Sequence, residues 1–231
     1  MRKPGIKAIL DRLVAAYGDR TWQKRLEPVD ELILTILSQN TSDLNSRRAF
    51  KSLLENFSGW DKVAAAEPAT IAGVIRAGGL ADVKAKYIKN ALMSLQVKAP
   101  GFDLRFLARG RVEDSREWLV RLPGVGMKTA SCVLLFSLGM PAFPVDTHVH
   151  RVAKRLGLIR DSISADAAHL EMERLTAPAD IYRCHVLLIE HGRKTCKAQR
   201  PLCHLCCLAD ICPSRKMLCS YITPRPPRRF T

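Results

Sequence analysis

The sequence predicts an all-α fold, and three observations carry that prediction. Apolar residues recur at three- and four-residue spacing along most of the chain, as one buried helix face requires. Sustained alternation of β-branched residues and Asn-Gly hairpin turns, the marks of strands, are absent. Glycine and proline punctuate the pattern at Gly78-Gly79, Pro100-Gly101, Pro123-Gly124, Pro141, Pro144 and Pro201, each a loop between helices. A chain of 231 residues suffices for one large domain or two smaller ones sharing an interface.

Ile6, Ile9, Leu10, Leu13 and Val14 form one stripe, so an opening amphipathic helix is expected to end near Gly18. Pro28 precedes the apolar run Leu32, Ile33, Leu34, Ile36 and Leu37, which reads as a second, more buried helix. Further helices are expected after Asn40, after Ser58, near Ala69, near Ala81, near Asp114, after Gly126, after Asp146 and after Asp180. The last segment, Pro213 to Thr231, has four prolines, five Lys or Arg and no acid, and reads as an extended or disordered basic tail. The N-terminus is charged, and the longest uncharged run, Thr129 to Val145, is broken by Gly139, Pro141 and Pro144. Neither reads as a leader or a membrane anchor, so a cytoplasmic protein without membrane contact is expected.

Hydrophobic residues make up 47% and charged residues 26%, ordinary globular values that exclude collagen-like and disordered classes. The balance of charge is not ordinary. Thirty-seven Lys and Arg against 22 Asp and Glu leave +15, which draws a protein toward a polyanion, nucleic acid first. Six of the eight cysteines fall between Cys196 and Cys219, a local constellation rather than a disulfide scaffold. Cys196, Cys203, Cys206 and Cys212 give C-x6-C-x2-C-x5-C, a spacing open to zinc or an iron–sulfur cluster. Only Cys203 and Cys206 form a zinc-like knuckle, and the long arm from Cys196 suits the perimeter of a 4Fe–4S cubane. Cys207 leaves the register open. Between the first two thiols, Lys197 and Arg200 are placed to meet a phosphate.

Leu122-Pro123-Gly124-Val125-Gly126-Met127-Lys128 reads as a helix, a glycine hairpin and a second helix. Gly124 and Gly126 would permit backbone angles closed to other residues and a close approach to the backbone. Free N–H groups at the start of the second helix suit a DNA phosphate. Lys128 lies in the first turn of that helix, where the dipole disfavours a cation and a neutral amine nucleophile is one reading. A phosphate contact is the other. Asp146 precedes His148 and His150 and is placed to cap a helix, or to face the amine as a catalytic carboxylate.

LPGVGMKTA, VDTH and HGRKTC followed by the four-cysteine loop resemble, in this order, the endonuclease III family of helix-hairpin-helix DNA glycosylases. The resemblance runs from about Pro28 to Cys212. It implies two helical lobes with DNA bound in a cleft between them. Residues 1–24 would join the cluster lobe, 25–139 form a six-helix barrel with the hairpin, 140–212 form the cluster lobe, and 213–231 follow as a tail. It implies Lys128 as Schiff-base nucleophile, Asp146 as catalytic aspartate, and Cys196, Cys203, Cys206 and Cys212 as ligands of a 4Fe–4S cluster. The implied function is a monomeric glycosylase and AP lyase, excising oxidised pyrimidines from duplex DNA and nicking abasic sites.

In many relatives a Gln fills the gap left by the extruded base. Here Asn40 takes that place beside Gln39, one methylene shorter. Leu80 matches the family's apolar wedge between bases, with a core leucine as the other reading. Two other functions compete: a mismatch-specific base glycosylase, and a non-enzymatic DNA-binding iron–sulfur module. The presence of both Lys128 and Asp146 favours the enzyme.

Overall fold

The computed structural model describes residues 4–220, and among them twelve α-helices form and no strand. Packing divides them into two units, Trp22–Pro144 and the flanking segments up to Thr21 and from Val145 onward. Residues 25–139 are therefore extended at both ends. Trp22 Nε1 donates to Leu135 O at 2.7 Å, and Met140 and Ala142 are buried in the core of the Trp22–Pro144 unit.

The Trp22–Pro144 unit is built around two apolar helices, α2 (Pro28–Leu37) and α8 (Met127–Leu138). Pro28 begins α2 with its φ already helical and no N–H to satisfy. Both helices are buried on most faces, α8 continuously from Thr129 to Ser137. The unit also buries the α2 carboxylate of Glu31 completely. Arg25 pairs with it, Thr35 Oγ1 donates to it at 3.0 Å, and the Arg25 guanidinium lies 4.0 Å over the Phe136 ring of α8. A charge buried without such partners would be strongly destabilising. Around this pair pack α3 (Asp43–Asn56), the short α4 (Trp60–Ala65) and α5 (Pro68–Val74), α6 (Ala81–Lys98) and α7 (Val112–Val120). Ser42 caps α3 by accepting the Asn45 N–H.

The second unit joins α1 (Ile6–Tyr17) to α9 (Thr147–Arg155), α10 (Ala165–Leu175), α11 (Ile181–Lys194) and α12 (Arg215–Ser220). Its core includes Ile9, Leu13, Val149, Val152, Met172, Leu187 and Leu188, all fully buried. Two helices differ from the sequence expectation. Helix α10 was not expected, yet Ser164 caps it at 3.1 Å from Ala167 N and Ala168 and Met172 recur on its buried side. Part of the segment expected to be an extended tail is instead helix α12; residues 221–231 lie outside the described residues. No helix among the described residues is long and apolar enough to cross a membrane.

Candidate functional site

The hairpin is a tight connection between α7 and α8, pinned by buried Leu122 and Val125 and by the Val125 N–H to Leu122 O bond of 3.1 Å. Gly124 has φ +77, and a Cβ there would stand 2.6 Å from Tyr87 side-chain carbons, so no other residue fits. Gly126 corrects the expectation of a restricted backbone. Its φ −97 and ψ −179 are open to any residue, and a Cβ would meet nothing within 4 Å. No side chain caps α8 at Gly126, so the first N–H groups of α8 remain available beyond the open space above that glycine.

Lys128 is the second residue of α8 and half-buried. Among the described residues its amine makes no hydrogen bond or ion pair. From Thr129 to Ser137 the helix is continuously buried, with Val133 and Leu134 at 0% exposure. Each large apolar side chain of this run, Val133 and Leu134 among them, contributes about 1.5–3 kcal/mol on burial. The lysine therefore projects from a rigid platform.

Asp146 belongs to the other unit and caps α9, its Oδ1 accepting the Val149 N–H at 2.8 Å. Its second oxygen has no hydrogen-bond partner among the described residues. Two contacts fix its approach. The Val145 N–H donates to buried His169 Nδ1 at 3.1 Å, and Gly192 of α11 lets α9 pack so closely that an added Cβ would lie 3.0 Å from His148 Cβ.

Cys196, Cys203, Cys206 and Cys212 line one small, partly open cavity, which Cys207 does not line. Cys207 is engaged elsewhere, its carbonyl accepting from Arg12 at 3.5 Å. No three His, Cys, Asp or Glu side chains among the described residues gather as a single metal ion requires; the thiols border a volume instead. Arg155 donates to Cys196 Sγ at 3.4 Å and to the Lys197 and Ala198 carbonyls at 2.7 and 3.0 Å. Arg151 donates to the Cys196 and Gly192 carbonyls at 3.0 and 2.9 Å. Burial pushes the Cys206 thiol up to about 11 and His191 down to about 4. A neutral His191 accordingly sits between Tyr17 Oη, 2.9 Å from Nδ1, and Cys206 Sγ, 3.7 Å from Nε2.

Four described non-glycine residues have left-handed backbone, Asn40, Leu80, Phe102 and Arg200, with φ from +49 to +58. Three are residues singled out from the sequence for DNA contact. Such conformations cost energy and persist where the surroundings impose them. Asn tolerates this region better than leucine does. Leu80 is 56% exposed, which removes its reading as a core residue. Gln39 Nε2 reaches the Gly124 carbonyl at 3.4 Å, joining the α2 end to the hairpin. Arg200 is exposed and makes no side-chain bond among the described residues.

Comparison with known proteins bears on this arrangement directly. The model of the HhH-GPD superfamily of base excision DNA repair proteins matches residues 33–178. An endonuclease III of Sulfolobus acidocaldarius is 36% identical over 183 residues, 78% of this chain and 79% of its own. The chain belongs to the endonuclease III family. An Arabidopsis thaliana protein named as a DNA glycosylase is 41% identical over 165 residues, 71% of this chain; the chain covers 56% of that longer relative. A solved structure of a trapped covalent endonuclease III–DNA intermediate aligns with a TM-score of 0.79 at 30% identity, covering 94% of this chain and 98% of that one. The fold is thus that of endonuclease III, and the chain is a base excision repair DNA glycosylase of the endonuclease III type, a class with AP lyase activity.

Within this endonuclease III family member, several supporting residues escaped the sequence reading. Lys84, His169 and Gly192 act through burial and close packing that only the fold reveals. Arg151 carried a visible signal: it follows His148 and His150 on the helix that Asp146 caps.

Proposed function

We propose that the chain removes oxidised or ring-saturated pyrimidines from duplex DNA and cleaves the strand through a lysine Schiff base. The observation that carries this reading is the Lys128 amine, unpartnered among the described residues, at the uncapped start of the buried helix α8 directly after the hairpin. The hairpin's open face at Gly126 offers N–H groups to a phosphate and brings the sugar backbone to the same helix end. The Lys128 amine attacks C1′, a C–N bond forms and the C1′–base bond breaks, the base leaving with a proton. The remaining amine proton passes to O4′ as the C1′–O4′ bond breaks, and the opened sugar is left as the imine. Its electron-withdrawing character acidifies C2′–H, and β-elimination expels the 3′ phosphate; water then frees the lysine. Asp146, with one oxygen committed to the α9 cap and one free, takes the proton and stabilises positive charge on the sugar.

Leu80 enters the stack as a wedge and Asn40 occupies the space of the extruded nucleotide. Cys196, Cys203, Cys206 and Cys212 would hold a 4Fe–4S cluster, supported by their shared cavity and by Arg155 as counter-charge. When bound, the cluster would cross-link the beginning and the end of the loop that follows α11. That loop presents Lys197 and Arg200 to phosphates. The protein acts as a monomer on double-stranded DNA. A gel nicking assay on a thymine-glycol duplex and an undamaged duplex, with borohydride trapping, tests the whole reading. Nicking and trapping of the damaged strand alone are expected; equal action on both duplexes, or on neither, would refute it.

A further inference from the structure

The most deeply buried charge in the Trp22–Pro144 unit outside the Arg25–Glu31 pair is Lys84, 1% exposed, on the first turn of α6. Its Nζ donates at 2.7 Å to Leu37 O and at 2.7 Å to Gly78 O. Its own backbone N–H donates to Leu80 O at 3.0 Å. Three carbonyls from two separate segments thus converge on one residue.

Each segment leads within three residues to a left-handed, exposed residue: Leu37 to Asn40, Gly78 to Leu80. Leu37 is the last residue of α2, where helical carbonyls lack partners and the dipole is negative. Gly78 ends a single 3-10 turn, and a Cβ there would meet Ala49 Cβ of α3 at 3.1 Å. A carbonyl at each of these ends needs a donor, and an ammonium can serve two acceptors from one atom. Burial lowers the affinity of Lys84 for its proton, so the site spends stability to keep the charge there. A methionine would fill the same space without that cost, yet it could not join the two backbones.

We propose that Lys84 is a positioning residue that locks the Asn40 and Leu80 segments at a fixed separation, so that wedge and plug enter the duplex together. This rests on the roles given to Asn40 and Leu80 under the proposed function. Lys84 touches no substrate. It sets the geometry in which a strained leucine and an asparagine exchange places with a base, and Gln39 extends the same tie to the Gly124 carbonyl of the hairpin.

Lys84→Met tests this on the full chain. The readouts are single-turnover excision of thymine glycol from a duplex, extrusion followed by 2-aminopurine fluorescence beside the lesion, and excision from the same lesion in a pre-opened three-base bubble. The expected result is an excision rate from paired duplex lowered about tenfold or more, with a matching loss of the fluorescence rise. Excision from the bubble should stay within about twofold of wild type, because no stack has to be opened there. A purely structural residue would lower both substrates alike, and that result, or wild-type rates on both, overturns the proposal. Should the variant fail to fold, hydrogen exchange on the wild type decides: amides of residues 38–41 and 79–81 should lose protection in one shared opening event, and independent opening refutes the lock. Failure of the underlying reading shows separately, as no excision of the lesion by the wild-type protein.

Discussion

The hairpin at Leu122–Ala130 and the cysteine loop at Cys196–Cys212 both present groups to DNA in the proposed function, but they are held in place by different physics. The hairpin is placed by secondary structure: two helices, a turn that only Gly124 can make, and the buried length of α8 behind it. The cysteine loop has a single short 3-10 turn, Cys203–Leu205, and its bounding thiols surround a cavity instead of a packed core. Its carbonyls are held by side chains from elsewhere, Arg151 and Arg155 of α9 and Arg12 of α1. One region carries its own scaffold. The other borrows it, from arginines and from whatever the four thiols bind.

The largest expected effect lies on the self-supporting side. Lys128→Ala should abolish strand cleavage and borohydride trapping, a loss of at least three orders of magnitude, while damaged DNA is still bound. Since Ala is a better helix former than Lys and the amine makes no bond among the described residues, the melting temperature should hold. Trapping at the wild-type level would move the chemistry to another amine.

On the borrowed side, Cys196→Ser, Cys203→Ser, Cys206→Ser and Cys212→Ser should each lose the brown colour and about four irons per chain, along with the soluble fold or most DNA affinity. Cys207→Ser should keep both, since Cys207 does not line the cavity. Iron analysis and melting curves check this. A colour retained without Cys206 and lost without Cys207 would reverse the register.

This contrast also explains what could be read from the sequence. The helices that begin with a proline or end at a glycine were legible, because local backbone rules suffice there. So were Lys128, Asp146 and the four thiols, as short motifs. Helix α10 was not, because its apolar side is narrow: Ala168 and Met172 are its buried hydrophobic residues. The meaning of Gly126 was misread: its sequence context promised a special φ, and only the coordinates show an ordinary backbone with empty space above it. Arg151, Arg155 and Lys84 owe their roles to carbonyls between 6 and 47 residues away, which no local pattern marks.

Asp146 lies on the junction between the two modes, a helix cap by structure and a proton carrier by proposal. Asp146→Asn should lower turnover by about two orders of magnitude, the usual worth of a positioned acid or base. Stability should change by less than about 1 kcal/mol, because Asn caps helices as well as Asp. Normal turnover with an early melt would leave only the cap.

The two hairpin glycines separate fold from binding. Gly124→Ala should destabilise by roughly 1 kcal/mol for the positive φ alone, and by more where the Tyr87 ring, 2.6 Å from the new Cβ, has to move. Gly126→Ala should melt within about 0.5 kcal/mol of wild type, as surface substitutions away from special features do, yet bind undamaged duplex more weakly. Equal losses of stability in both would show that Gly126 serves the turn and not the DNA.

The smallest effect is expected at Arg200, at the tip of the borrowed scaffold. Its left-handed backbone and exposed guanidinium suit a phosphate contact, and among the described residues no bond depends on that side chain. Each phosphate contact on duplex DNA contributes about −0.9 to the slope of log affinity against log salt. Arg200→Ala should therefore make the slope shallower by about one, weakening damaged and undamaged duplexes equally. The measurement is a salt titration of both duplexes by fluorescence anisotropy. An unchanged slope would place this arginine away from DNA and leave Lys197 as the loop's contact. An effect of Arg200→Ala on the slope that disappears once a cysteine ligand is also lost would mean that the loop reaches DNA only while its borrowed scaffold is intact, which is the difference from the hairpin in its sharpest form.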